Sequence, residues 1–127
     1  MKILLDTNAF LWAITDDARL RKPQRDAFMD EANDLYLSVA SIWEILIKTG
    51  LGKLPMPSPA ASYVQKQMAR NRIASLGIQP HHLAELETLP TLHRDPFDRM
   101  LVAQAKSEGM PLMTGDRTMR RYGVRLL

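Results

Sequence analysis

Asp6, Glu44, Asp98 and Asp116 are the residues whose placement suggests chemistry. Asp6 closes the apolar run Ile3-Leu4-Leu5, and Asp116 follows Leu112-Met113-Thr114 across a glycine. Glu44 lies in the first turns of a helical stretch after Leu35-Tyr36-Leu37-Ser38, and Asp98 in the first turn of one opened by Asp95-Pro96. Ligands of parallel α/β sheets bind beyond the carboxyl ends of the strands, so parallel runs would point all four acids at one edge. Each acid also has an ordinary reading. Asp6 and Asp116 suit turns, Ser41-Ile42-Trp43-Glu44 fits a capping box, and Asp98 suits a cap or the positive start of a helix. Their neighbours weigh against those readings: Asp98 shares a helical stripe with Leu101, Val102 and Ala105, and Glu44 with Ala40 and Ile47. A carboxylate on a core-facing stripe is expected to be paired or to bind a metal. No dedicated Lys or Arg is expected beside either one.

Two carboxylates about 5 Å apart repel by roughly 3 kcal/mol at an effective dielectric near 20. Four acids make six such pairs, on the order of 10–20 kcal/mol when fully ionised, comparable to a domain's whole stability of roughly 5–15 kcal/mol. Such a cluster needs a cation, or some of its members stay protonated. Oxygen ligands without Cys suit Mg²⁺ or Mn²⁺, and an ion of that kind implies a phosphate substrate.

The elements that must position these acids follow from apolar runs and chain breakers. Ile3-Leu4-Leu5 predicts a strand, with Thr7 or Asn8 capping a helix over 9–14. Pro23 opens a helix over 24–32. A second strand, 35–38, leads to a helix over 40–49 that Gly50 ends, and the Pro- and Gly-rich stretch 50–59 reads as a loop. A helix over 60–72, a third strand over 74–78 and a short helix over 80–86 follow. The Asp95-Pro96 helix runs to about Glu108, where Gly109 stops it. Leu112-Met113-Thr114 is a fourth strand and Val124-Arg125-Leu126 an edge fifth. Strands alternating with helices predict an α/β fold around a parallel sheet of four to five strands. With no linker or repeat, residues 1–127 are expected to form one domain.

Composition narrows the function classes. The 127 residues are 46% hydrophobic and 24% charged, an ordinary globular balance that excludes disorder and repeat arrays. The absence of Cys removes disulfides, zinc-thiolate sites and thiol nucleophiles. The longest uncharged runs, 54–65 and 73–84, are 12 residues each, too short to span a bilayer. Asp6 interrupts a start that otherwise resembles a signal peptide, so a cytoplasmic protein is expected. Seventeen Lys and Arg against 14 Asp and Glu give +3, a mild excess compatible with a nucleic-acid partner. Arg117, Arg120, Arg121 and Arg125 concentrate it near the C-terminus.

Four segments carry a resemblance that spans the chain: Leu5-Asp6-Thr7-Asn8, Ser38-Val39-Ala40-Ser41-Ile42-Trp43-Glu44-Ile45, the stretch from His93-Arg94-Asp95-Pro96-Phe97-Asp98-Arg99 through Ala105, and Leu112-Met113-Thr114-Gly115-Asp116. With them the sequence resembles a PIN domain, in particular the VapC-like ribonuclease toxins of type II toxin–antitoxin pairs. Asp-Pro-Phe-Asp-Arg is the most specific of these motifs, and Asp-Thr-Asn is weak alone. The resemblance implies a Mg²⁺-dependent (or Mn²⁺-dependent) endoribonuclease with Asp6, Glu44, Asp98 and Asp116 as catalytic, metal-binding acids. Asp6 and Asp98 would be central. Thr7, Asn8 and Thr114 would orient the carboxylates or the attacking water, and Asp95 is a helix cap or a supporting acid. Arg99, Arg117, Arg120 and Arg121 would touch RNA. A homodimer and a cognate VapB-like antitoxin are implied as partners, with Phe10, Leu11, Trp12 and Ile14 as candidates for either face or for the core.

Two other readings compete. A phosphatase of the haloacid-dehalogenase kind wants a second Asp two residues after the first, where this chain has Asn8. A catalytically idle PIN scaffold that binds RNA or a partner is the other, and the complete acid set argues against it. His81-His82 are expected on the surface, because adjacent residues face different sides of a helix. His93 is expected in a loop.

Overall fold

The computed structural model describes residues 1–127. Lys2–Leu5 (β1), Asp34–Ser38 (β2), Ile73–Leu76 (β3) and Leu112–Met113 (β4) form one parallel sheet in the order β3-β2-β1-β4. Parallel neighbours need crossover connections. Here these contain Thr7–Ile14 (α1) and Lys22–Met29 (α2), then Val39–Gly50 (α3) and Ala60–Arg70 (α4), then Pro80–Thr88 (α5) and Pro96–Glu108 (α6). A 3-10 turn, Arg117–Tyr122, follows β4. No helix is long and apolar enough to cross a membrane.

The apolar run in β1 reflects burial on both faces of the sheet. Ile3 and Leu5 pack with Phe10, Phe28, Leu37, Ile45 and Val64, while Leu4 faces the opposite cluster with Leu101, Val102, Leu112 and Met119. Phe10 is therefore core, whereas Leu11, Trp12 and Ile14 are only partly buried.

The expected fifth strand shrinks to a single bridge, Leu112 to Leu126. The chain leaves the 3-10 turn through Gly123, whose φ of 78° redirects it. β3 begins at Ile73 and ends at Leu76, earlier than expected, because its register with β2 closes at the Ser38–Leu76 pair.

Two caps fall earlier in the chain than their neighbours suggested. Asp6, not Thr7 or Asn8, caps α1: its Oδ1 accepts the Ala9 N–H at 2.7 Å. Ser38 caps α3, accepting the Ala40 N–H at 3.0 Å. That places Glu44 a full turn beyond the N-terminal positions, so the Ser41–Glu44 capping box does not form. Asp95 does cap α6, through the amides of Phe97 at 2.8 Å and Asp98 at 3.3 Å. Gly109, with φ 68°, ends it.

Candidate active site

From β1 the sheet grows through β2 to β3 on one side, and β4 returns to the other side of β1. The carboxyl ends of β1 and β4 thus flank a topological switch point, where parallel sheets open a crevice. A cavity of about 260 Å³ lies there, lined by Asp6, Asn8, Asp98 and Asp116, with Trp12, Gly115 and Met119. Asp6 arrives from the β1–α1 junction, Asp116 from the turn after β4, and Asp98 from the first turn of α6. Gly115 is needed where it stands: a Cβ would come within 2.8 Å of the Trp12 ring.

The three carboxyls differ in electrostatic state. Burial, more than any neighbour, pushes Asp6 above the usual carboxylate range, opposed by bonds from the Thr114 hydroxyl and the Ala9 amide. Asp98 is pushed up to about 6, first by burial and then by the charges of Asp95, Asp6 and Glu44. Asp116 is held below its usual value, chiefly by Thr118. The Thr118 hydroxyl and amide donate to its Oδ1 at 2.6 and 2.9 Å, and His93 Nε2 lies 3.2 Å from its Oδ2. Thr114 is fully buried and also accepts the Asp116 amide at 3.0 Å, so one hydroxyl links Asp116 to Asp6.

Glu44 is buried but does not line the cavity. Its Oε1 accepts the Thr7 hydroxyl at 2.7 Å, and Thr7 in turn lies 2.9 Å from the Ser41 hydroxyl. Its Oε2 accepts Lys48 Nζ at 2.7 Å. The expectation that no Lys or Arg serves this acid is thereby corrected. Lys48 stands one helical turn on, and the i,i+4 spacing was the available signal.

The remaining candidates scatter. Asn8 is exposed on the cavity wall, and Asp95 stays outside that wall, capping the Asp98 amide and raising the Asp98 carboxyl through its charge. Arg99 is tied to the preceding loop, donating to the Pro90 carbonyl at 2.8 Å. Arg117, Arg120 and Arg121 are exposed on the 3-10 turn that Asp116 caps. His93 had no periodic signal to single it out: its contacts with Asp116, Thr118 and Tyr122 all cross more than 20 residues of chain.

Of the two histidines expected on the surface, His81 is exposed and His82 is not. His82 is fully buried, and both Nε2 atoms lie against Glu108 Oε2, at 2.7 and 2.8 Å. The two rings are side by side because α5 packs on α6, leaving Glu108 between them. Three metal-capable side chains meet here, but the tautomer argues against an ion. The Gln79 amide donates to His82 Nδ1 at 2.9 Å, so the neutral ring carries its proton on Nε2 and gives it to Glu108.

Comparison with known proteins agrees with this architecture. The chain matches the PIN domain family over residues 3–125. It is 28% identical over 121 residues to a Mycobacterium tuberculosis protein named Ribonuclease VapC22, covering 94% of this chain and 91% of that one. A second protein from that organism, Ribonuclease VapC16, is 45% identical over 60 residues, a stretch covering 47% of this chain and 43% of the relative. Among solved structures, VapBC2 from Rickettsia felis superposes with a TM-score of 0.70 at 18% identity, covering 100% of this chain and 97% of that one. VapBC-1 from nontypeable Haemophilus influenzae does so at 0.71 and 15%, with the same coverage. A match that runs almost from end to end, on a parallel sheet that gathers acids at its switch point, means that this chain belongs to the PIN domain family.

Proposed function

We propose that this chain is a divalent-metal-dependent endoribonuclease, the toxin of a VapBC-type toxin–antitoxin pair, acting in the cytoplasm. The observation that carries this reading is the cavity where Asp6, Asp98 and Asp116 converge, two of them held above their usual range. The names of the two Mycobacterium tuberculosis relatives support it.

The donor set fits a hard divalent cation, Mg²⁺ or Mn²⁺. The polar groups on the cavity wall are three carboxylates and one amide, without Lys or Arg among the lining residues. Asp6, Asp98 and Asp116 would hold the ion, with Glu44 completing the acidic group. When bound, such an ion supplies positive charge against a phosphodiester and acidifies a water. The chain's own part is placement. Thr114 sets the spacing of Asp6 and Asp116, Thr7 fixes Glu44, and Asn8 offers an amide to substrate or water from the exposed rim. Arg117, Arg120 and Arg121 stand on the turn that Asp116 caps, where they would meet the phosphates of RNA.

Partners follow from two apolar surfaces. Leu11, Trp12 and Ile14 line a second cavity of about 360 Å³ with Leu54, Met56 and Tyr63. Asn8 and Trp12 belong to both cavities, so an antitoxin covering this wall would reach the acids. On α3, Val39, Trp43, Leu46 and Ile47 recur at helical spacing and are exposed, which suits a second copy of the chain. The test is cleavage of a mixed RNA pool by purified protein with Mg²⁺, Mn²⁺ or EDTA, beside Asp98→Asn. Cutting that needs both the metal and Asp98 supports the reading. No cutting by protein that binds the metal would refute it, leaving a binding module on the same scaffold.

A further inference from the structure

Both oxygens of Glu44 are taken within the chain, Oε1 by Thr7 and Oε2 by Lys48, each at 2.7 Å. Asp6, Asp98 and Asp116, by contrast, open onto the cavity. In two-metal phosphodiester sites the ions sit about 3.5–4 Å apart and need carboxylate oxygens to share. Glu44 is the one of the four acids that stands outside the cavity lining, and it already carries a cation. The Lys48 side chain is 48% exposed while that of Glu44 is 8% exposed, so the ammonium caps a buried charge from the solvent side. A lysine ammonium is a compact charge with three donors, of which Glu44 uses one.

We infer that Lys48 is the resident second cation of this site: clamped on Glu44 Oε2, it takes the place of a second divalent ion, leaving one ion for Asp6, Asp98 and Asp116. This rests on the reading of the cavity as a metal-dependent site, and it deepens that reading from four equivalent acids to three ligands and an internal ion pair. Lys48→Gln keeps an N–H donor for Glu44 and removes the charge, whereas Lys48→Arg keeps the charge.

The test counts Mn²⁺ bound per chain, by electron paramagnetic resonance titration of the full chain without RNA. One ion is expected for the wild type and for Lys48→Arg, and two for Lys48→Gln. In EDTA the Tm of Lys48→Gln is expected to fall below that of the wild type, and Mn²⁺ to raise it by more than it raises the wild type. Two ions or none in the wild type would overturn the inference without reference to any variant. A single ion in both wild type and Lys48→Gln would do the same. Failure of the nuclease reading is separately visible: one ion bound as expected, and RNA left intact.

Discussion

Helix α6 carries a carboxylate at each end, and the two have opposite fates. Asp98, in the first turn, is pushed up to about 6, while Glu108, in the last turn, is held below its usual range. The helix macrodipole alone would order them the other way, favouring negative charge at the N-terminus by roughly 0.3–1 kcal/mol. Surroundings win at both ends. Glu108 accepts bonds from His81 and His82, whereas Asp98 is partly buried beside Asp95, Asp6 and Glu44. A satisfied cluster of titratable groups fastens two helices together. An unsatisfied one leaves the Asp98 carboxyl raised, with no Lys or Arg among the residues that line its cavity.

The largest effect should come from neutralising the unsatisfied end. Asp98→Asn is expected to lower RNA cleavage at least about a hundredfold, with a metal-free Tm no lower than that of the wild type at pH 7. Asp6→Asn should behave alike, because Asn also caps helices. A variant that unfolds, or cuts at the wild-type rate, would remove the contrast. At the satisfied end the pattern reverses. Glu108→Ala strands the buried His82 N–H and should cost about 1–3 kcal/mol in denaturant unfolding, with cleavage by the folded fraction unchanged. Gly115→Ala probes the cavity wall without touching an acid. Its Cβ would stand 2.8 Å from the Trp12 ring, and overpacking of that kind costs about 1–3 kcal/mol and should weaken Mn²⁺ binding.

The smallest effect is the pH dependence of the metal-free protein. A folded pKa raised above the unfolded 3.8 means the folded state keeps a proton that the unfolded state has lost. Stability contributed by Asp98 is therefore full below pH about 4 and is lost as pH rises through about 6. Asp6 contributes with the same sign. The Tm of Asp98→Asn in EDTA should gain on the wild type by a few degrees across that window, and saturating Mg²⁺ should cancel the gain. A flat difference would show that the two ends of α6 are less unlike than their contacts suggest.

Asp6, Asp98 and Asp116 were legible from local rules: Asp6 and Asp116 as acids after an apolar run at a strand's carboxyl end, Asp98 as an acid in the first turn of a helix opened by Asp95-Pro96. The parallel sheet was legible for the same reason, in alternating strands and helices. Caps slipped where two candidates stood side by side, since Asp6 and Thr7 differ by a single residue in where the chain turns. Lys48 was within reach at four residues from Glu44. Thr7 on Glu44, His93 on Asp116 and Gln24 on the Thr114 carbonyl were not, being separated by 37, 23 and 90 residues. Those pairings exist only after the sheet order is chosen.

Trp12 closes the acidic cavity while Trp43, the only other tryptophan, is 60% exposed on α3. The molecule thus carries its own optical reporter. With Trp43→Phe in place, emission comes from a single indole stacked on Gly115 and shared by the acidic and apolar cavities. Occupancy of either cavity becomes readable as a change in colour or intensity, without a label and without waiting for RNA to be cut.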